Sequence, residues 1–407
     1  MSFIEHDIVV VGGGPAGLLS AIAAAELGKK VVLFESRSKI GEYEHCAGLL
    51  SYEGLKKLGL SKLPPDVVQN GSIVGSHIHS PSGKTITVSK KKETACVVDR
   101  SLFNIYLSGL AKKEGVDIQT SSKINSLRRK EKLIELKLGK KQSYSTNSSK
   151  IVILAEGRFP RLNQQLGLPF PRRDRVVFAS QYIMSNVKDI DINFVELYQT
   201  NKYAPGFFVW IIPINETTVK IGLGSKHAPS SKYLDLFIKN HSQAKIKLKD
   251  AVVEKRMSGA IPIGSFISKT YGRNTLVVGD AAGQTKPTTG GGVILGGIAA
   301  QISGKVASEA IDENNQSARF LSRYEKLWKK EMRRNLTIMK HVRFYLNSLS
   351  TDNIERLFSL VGEPKTKELI SEFGDVDNQK TIVYRLLLKY RFWPFLAKTG
   401  LKYLFSK

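Results

Sequence analysis

Asp7-Ile8-Val9-Val10-Val11-Gly12-Gly13-Gly14-Pro15-Ala16-Gly17-Leu18, near the start of the chain, decides the fold. The β-branched run reads as a buried parallel strand. Pro15 to Leu27, Ala-rich and closed by Gly28, reads as the helix that follows it. Lys30 to Phe34 is the next strand and runs into Glu35, 18 residues after Gly17. In this setting each element of Gly12-x-Gly14-x-x-Gly17 has a physical job. Gly12 permits the tight turn, Gly14 lets the backbone approach a pyrophosphate, and Gly17 lets the helix lie close on the sheet. The helix that opens at Pro15, whose ring carries no N–H, offers the unpaired N–H groups of Ala16 and the rest of its first turn to phosphates, and Glu35 can accept a hydrogen bond from a ribose 2′-hydroxyl. The uncharged run Ile8–Ala25 has the length of a membrane span, but the glycines and Pro15 in its middle demand a strand-to-helix turn. A dinucleotide site is the reading.

A second glycine-rich element says which dinucleotide. Leu276-Val277-Val278-Gly279-Asp280-Ala281-Ala282 is a strand entering a turn, and Lys286-Pro287-Thr288-Thr289-Gly290-Gly291-Gly292-Val293 leads into an apolar helix. A cofactor held at both ends uses such a pair of sites, which favours FAD over NAD. Asp280 either takes a ribityl hydroxyl or serves only as an N-cap. The N–H groups of Gly292 and Val293 can face the flavin edge where negative charge accumulates on reduction. Arg100, opening a helix after Asp99, either reaches the pyrophosphate or flavin edge or pairs with Asp99 at the surface.

Around these motifs the chain divides unevenly. Ser72–Val88 reads as a hairpin about Ser80–Gly83, Gln142–Ser149 as a polar loop, and Arg175–Gly224 as strand after strand. From about Arg319 the pattern is helical. The expected class is α/β. A discontinuous Rossmann-type FAD-binding domain (1–70, 100–170 and 270–315) is interleaved with an antiparallel β-sheet substrate domain (71–99 and 171–269). A helical C-terminal region (316–407) follows.

At 407 residues, 42% hydrophobic, the chain can fill about two cores. Its net charge of +26, from 62 Lys+Arg against 36 Asp+Glu, either draws it to an anionic surface or belongs to a solvated exterior. Nucleic acid is not expected, because the basic residues are dispersed and no recognition signature is present. Cys46 and Cys96 are the only cysteines, which excludes a disulfide framework and points to the cytoplasm. The acidic start of the chain is not expected to be a signal peptide. His77-x-His79 lacks a third ligand nearby, so no metal site is expected.

Together, the first glycine motif with Glu35, Asp99-Arg100, and Gly279-Asp280-Ala281-Ala282 before Pro287-x-x-Gly290-x-Gly292 resemble the p-hydroxybenzoate-hydroxylase-type flavoproteins. Within them the chain is most similar to the geranylgeranyl reductase family, over about its first three quarters. His45-Cys46-Ala47-Gly48-Leu49 resembles that family's Cys-Gly loop at the flavin. Phe208-Val209-Trp210-Ile211-Ile212-Pro213, followed by Gly222-Leu223-Gly224, resembles its motif on the substrate sheet. Ala47 stands where the family usually has Gly, and Ile212 where it usually has Phe; both departures bear on the substrate rather than the flavin.

The resemblance implies flavin contacts from Ala16, Glu35, Cys46, Ala47, Gly48, Arg100, Ile124, Asp280, Gly290, Gly291, Gly292 and Val293. It implies substrate contacts from Phe208, Trp210, Pro213, Gly222 and Gly224. It also implies saturation of isoprenoid double bonds in membrane lipids, by hydride from reduced flavin plus a proton. Positive charge developing at a tertiary carbon would be eased by the faces of Trp210 and Phe208, although aromatics also favour strands as plain core. Cys46 would donate the proton or gate the substrate, with His45 or a water as the other proton source. No second dinucleotide fingerprint is present, so ferredoxin, NADPH and another reduced carrier all stay open as electron donor.

Lys380–Lys407 carries seven Lys/Arg and no acid among Leu, Phe and Trp. It reads either as a peripheral contact with an anionic membrane or as a helical cap over the substrate tunnel. The competing functions are a flavin monooxygenase or prenylquinone-modifying enzyme on the same scaffold, and a basic membrane- or RNA-binding protein without catalysis.

Overall fold

The computed structural model of the protein describes residues 4–42, 46–140, 143–264 and 266–405. Its first layer is an eight-stranded sheet. At its centre Ile4–Val11 pairs in parallel with Val31–Phe34 on one side and with Ser143–Leu154 on the other. Parallel strands need both faces covered, and the alternation of Ile4–Val11 supplies this. Ile8 and Val10 face a core shared with the helices Pro15–Ala25, Arg100–Lys113 and Val293–Asp312, while Val9 and Val11 face Ile134, Leu136 and Leu154.

Of the polar loop expected at 142–149, Gln142 lies outside the described residues and 143–149 is instead the first half of the Ser143–Leu154 strand. Its backbone pairs with Leu133–Lys140 on one edge and with Ile4–Val11 on the other. Ladder bonds from two neighbours outweigh the turn preference of a Ser/Asn-rich run.

The second layer is a seven-stranded sheet ordered Val252–Pro262, Val176–Ser185, Val219–Ser225, Val209–Pro213, Phe194–Tyr198, Gly75–His79, Thr85–Ser89. It is antiparallel except where the hairpin Gly75–Ser89, arriving from a distant part of the chain, joins Phe194–Tyr198 in parallel. One face packs under the helix Ser230–Asn240 through Tyr198, Ile221, Leu234 and Phe237. The other carries Val195, Phe208, Trp210 and Ile212 and looks toward the first layer. A small sheet of Leu49–Ser51, Ala95–Val98 and Val68–Ile73 lies between.

The 31-residue helix Ala318–Ser348 ties the layers together. Its Leu321, Tyr324, Trp328 and Leu336 are buried in the first layer's core, and burying each large apolar side chain contributes about 1.5–3 kcal/mol. Tyr324 donates to the Val277 carbonyl at 2.9 Å and Trp328 to the Thr270 hydroxyl at 3.0 Å. Beyond it, Ile354 and Phe358 pack on Ile86 of the hairpin. No helix of the described residues is long and apolar enough to cross a membrane.

Candidate active site

Between the two layers lies a cleft of about 1190 Å³, more than the roughly 300–1,000 Å³ of an ordinary small-molecule site. Two helices begin on its wall. Pro15–Ala25 and Val293–Asp312 each lack a side-chain cap and an acidic residue in the first turn. The orphan amides and positive dipole ends of both are therefore left for a ligand. The first glycine turn is a cradle built by exclusion. A Cβ on Gly17 would strike the Gly12 carbonyl and one on Gly12 the Ala155 carbonyl, while beside Gly14 nothing lies within 4 Å. Gly14, Pro15, Ala16 and Gly17 all line the cleft.

Glu35 accepts from the Gly13 amide at 2.7 Å and the Arg37 amide at 2.8 Å, so it first of all fixes the glycine turn. A carboxylate has about four lone-pair sites, which leaves capacity for a sugar hydroxyl. Asp99 caps its helix through the amides of Ser101 and Leu102. Arg100 faces the cleft, donating to Asn104 at 3.1 Å and stacking 5.1 Å over Phe103. Across the cleft, Gly279, Asp280 and Thr289–Val293 form the opposite wall. Burial pushes the Asp280 carboxyl up, against the opposing charges of Arg158 and Arg100. Among the described residues nothing donates a hydrogen bond to that carboxyl, so it is an acceptor awaiting a hydroxyl. A long dinucleotide with a pyrophosphate at its centre and a polyol between that and one of its rings fits these demands. Ile124 does not line the cleft; its side chain is in the core behind the sheet.

At the other end the wall is made of side chains. Trp210 donates from its indole N–H to Gln181 Oε1 at 2.9 Å, and Phe208 meets it edge-on at 6.0 Å. Gly222 pairs directly with Trp210 across the sheet, where a Cβ would lie 2.5 Å from the indole; a Cβ on Gly224 would press on Phe207. Gly222 and Gly224 therefore stand behind the wall and seat Trp210 and Phe207, and Pro213 does not line the cleft either. Cys46, Ala47 and Gly48 reach the cleft from the first layer. The Cys46 thiol is exposed to the cleft and receives the Gly48 amide at 3.4 Å. His45 lies outside the described residues. Cys96 is core, with burial pushing its thiol up to about 11. His77 and His79 stack on Phe194 and Tyr198 and bond Thr87 and Thr85.

Three functional positions escaped the sequence reading. Gln181 orients the indole and also reaches the Cys46 carbonyl at 3.5 Å. Lys220 is buried and donates to the carbonyls of Ala47 and Val98 at 3.0 and 2.9 Å, which holds the Cys46 loop against the substrate sheet. A lone lysine inside Val219-Lys220-Ile221-Gly222-Leu223 was the available signal. Lys286, on the second glycine turn, forms a buried ion pair with Asp377 at 2.6 Å. Asp377 also accepts from Ser51, and its backbone carbonyl from Asn335.

Two uncapped helix starts, a cradle of glycines and an unmatched carboxylate along one elongated cleft define an FAD-dependent oxidoreductase. A family model described as an FAD binding domain matches residues 5–300. The digeranylgeranylglycerophospholipid reductase of Methanocaldococcus jannaschii is 36% identical over 366 residues, covering 88% of this chain and 91% of that protein. A geranylgeranyl bacteriochlorophyll reductase-like structure from Thermoplasma acidophilum superimposes with a TM-score of 0.88 at 26% identity, covering 98% of this chain and 100% of that one. A p-nitrophenol 4-monooxygenase from Pseudomonas putida, at 15% identity and a TM-score of 0.72 over 91% of this chain and 98% of its own, shares the fold alone. The chain belongs to the geranylgeranyl reductase family of flavoproteins.

Proposed function

We propose that the protein saturates double bonds in the geranylgeranyl chains of membrane phospholipids. The observation that carries this reading is the continuity of the cleft. The wall that fits FAD runs without a break into a long apolar face of Ile73, Val195, Leu197, Phe208, Trp210 and Ile212, the lining an isoprenoid chain needs. The names of its relatives point the same way.

When bound, FAD supplies the hydride in its reduced form. The first-turn amides from Ala16 onward would hold its phosphates, with Arg100 as their cation, and Asp280 would take a ribityl hydroxyl. The amides at Gly290–Val293, which line the cleft, would stabilise the ring edge that gains negative charge on reduction. The isolated alkene has no carbonyl to absorb a hydride, so positive charge develops at its tertiary carbon. The indole of Trp210, locked by Gln181, offers its face to that charge. Phe208 is less suited, because Arg343 already lies 5.5 Å from its ring centre. Cys46 delivers the proton or gates the chain, and Lys220 holds its loop in register.

The reduced carrier that feeds electrons is ferredoxin, NADPH or another donor. The protein works in the cytoplasm against an anionic membrane, to which it presents exposed Leu387, Leu388, Tyr390 and Trp393 among Arg385, Lys389 and Arg391. Anaerobic incubation of the chemically reduced, flavin-bound protein with a geranylgeranyl glycerophospholipid tests the reaction. Mass spectrometry is expected to show the gain of one hydrogen molecule per saturated bond. Unchanged lipid with fully reduced flavin would refute the substrate. Sedimentation with anionic vesicles, lost at high salt, tests the membrane contact.

A further inference from the structure

The match to the FAD binding domain ends at residue 300, yet the second glycine turn leans on a residue well beyond it. Arg343, on the long helix Ala318–Ser348, is 2% exposed and does not line the cleft. Its Nε donates to the Pro287 carbonyl at 3.2 Å and a second guanidinium nitrogen donates to the Thr288 carbonyl. Its charge lies 4.5 Å from the ring centre of Phe207. Among the described residues no Asp or Glu stands within ion-pair distance of it. Asp377, a carboxylate joined to this turn, is occupied by Lys286. Burial alone pulls the guanidinium down to about 9.

A buried cation without a carboxylate is costly to maintain. Carbonyl dipoles and ring faces solvate it in part, and a full negative charge nearby would complete it. The same turn presents Thr289, Gly290, Gly291 and Gly292 to the cleft, and the hydroxyls of Thr288 and Thr289 are buried with no hydrogen-bond partner among the described residues. The turn is thus held by a cation on one side and faces the cleft with unused polar groups. We propose that Arg343 positions the Thr288–Gly292 turn for the flavin and, through its uncompensated charge, raises the affinity of the bound flavin for electrons. The inference rests on FAD occupying this cleft. Arg343 is a positioning residue; it acts through the turn and the field, without touching the reacting atoms.

The test is the two-electron reduction equilibrium of the flavin-bound protein, measured against a reference dye, with flavin content read from absorbance. A charge about one residue layer away shifts such an equilibrium by roughly tenfold or more. Arg343→Met is expected to keep FAD and to lose about tenfold in that equilibrium, a shift of about 30 mV to more negative potential. Arg343→Lys is expected to match the wild type at low pH. As pH rises through its burial-depressed pKa, it should fall toward the Met variant at a pH where the arginine of the wild type still holds its charge. A Met variant with wild-type potential, or a Lys variant that runs parallel to the wild type at every pH, overturns the proposal. Where the Met variant does not fold, the Lys series decides alone. A wild-type protein that binds no flavin would instead refute the reading of the cleft.

Discussion

The two ends of the cleft are made of different material. At the cofactor end the ligand is met by backbone: two helix starts, two glycine turns, and a few charged side chains to orient it. At the substrate end it is met by side chains mounted on a sheet, with glycines behind them to make room. Backbone recognition tolerates almost no added atom, because the neighbouring carbonyls cannot move. Side-chain recognition tolerates change and converts it into altered specificity. The same residue type, glycine, serves as a contact at one end and as a void at the other.

That contrast can be broken most forcefully at Gly17. Gly17→Val drives a branched side chain into the Gly12 carbonyl. It is expected to abolish flavin retention, seen as loss of the flavin absorbance band in the purified protein. Retained stoichiometric flavin would show that the turn is softer than described. Next is the joint between the ends. Asp377→Asn leaves Lys286 buried without its partner and should cost about 3–5 kcal/mol in denaturant unfolding, against a surface substitution's few tenths.

A pH series probes the outer face of the substrate sheet. Burial alone would raise the Glu196 carboxyl, but the His79 imidazole 3.5 Å away and hydrogen bonds from Lys247 and Tyr198 hold it down at about 2. The folded value lies below the unfolded one of about 4.3. Its stabilisation is therefore full above that pH and lost as pH falls toward 2. Glu196→Gln should flatten the fall of the thermal midpoint between about pH 5 and 3, and an unaltered acid limb would contradict the ion network.

Gly222→Ala is a smaller step. The added methyl pushes on the Trp210 indole at an overpacking cost of about 1–3 kcal/mol. It should raise KM for the lipid while leaving flavin content intact; loss of flavin would erase the division between the two ends. Cys46→Ala is the mildest, within about 0.5 kcal/mol of wild-type stability. Its effect should appear in rate and product distribution alone, and unchanged values for both would remove Cys46 from the chemistry.

The difference in material also explains what could be read beforehand. A main-chain cradle needs glycine at fixed spacings between a strand and a helix, so Gly12, Gly14, Gly17 and Gly290–Gly292 stood out in the linear chain. The second sheet was visible as strand after strand, yet the burial of Lys220 and the bond from Trp210 to Gln181 depend on which strands become neighbours. The run 143–149 has the composition of a loop, and its second partner, the strand Ile4–Val11, lies far away in the chain. Arg343 and Asp377 carry no local signal at all, since one charged residue on a helix looks like any other until its neighbours are known.

Asp377 clasps Ser51, Lys286 and Asn335 at once, and this bears on the order of assembly. During synthesis the residues around Gly14 emerge long before the helix Val293–Asp312 that completes the opposite wall, and the clasp emerges later still. A nascent chain can hold its coenzyme by only one end, so firm loading waits until the segment around Asp377 has emerged.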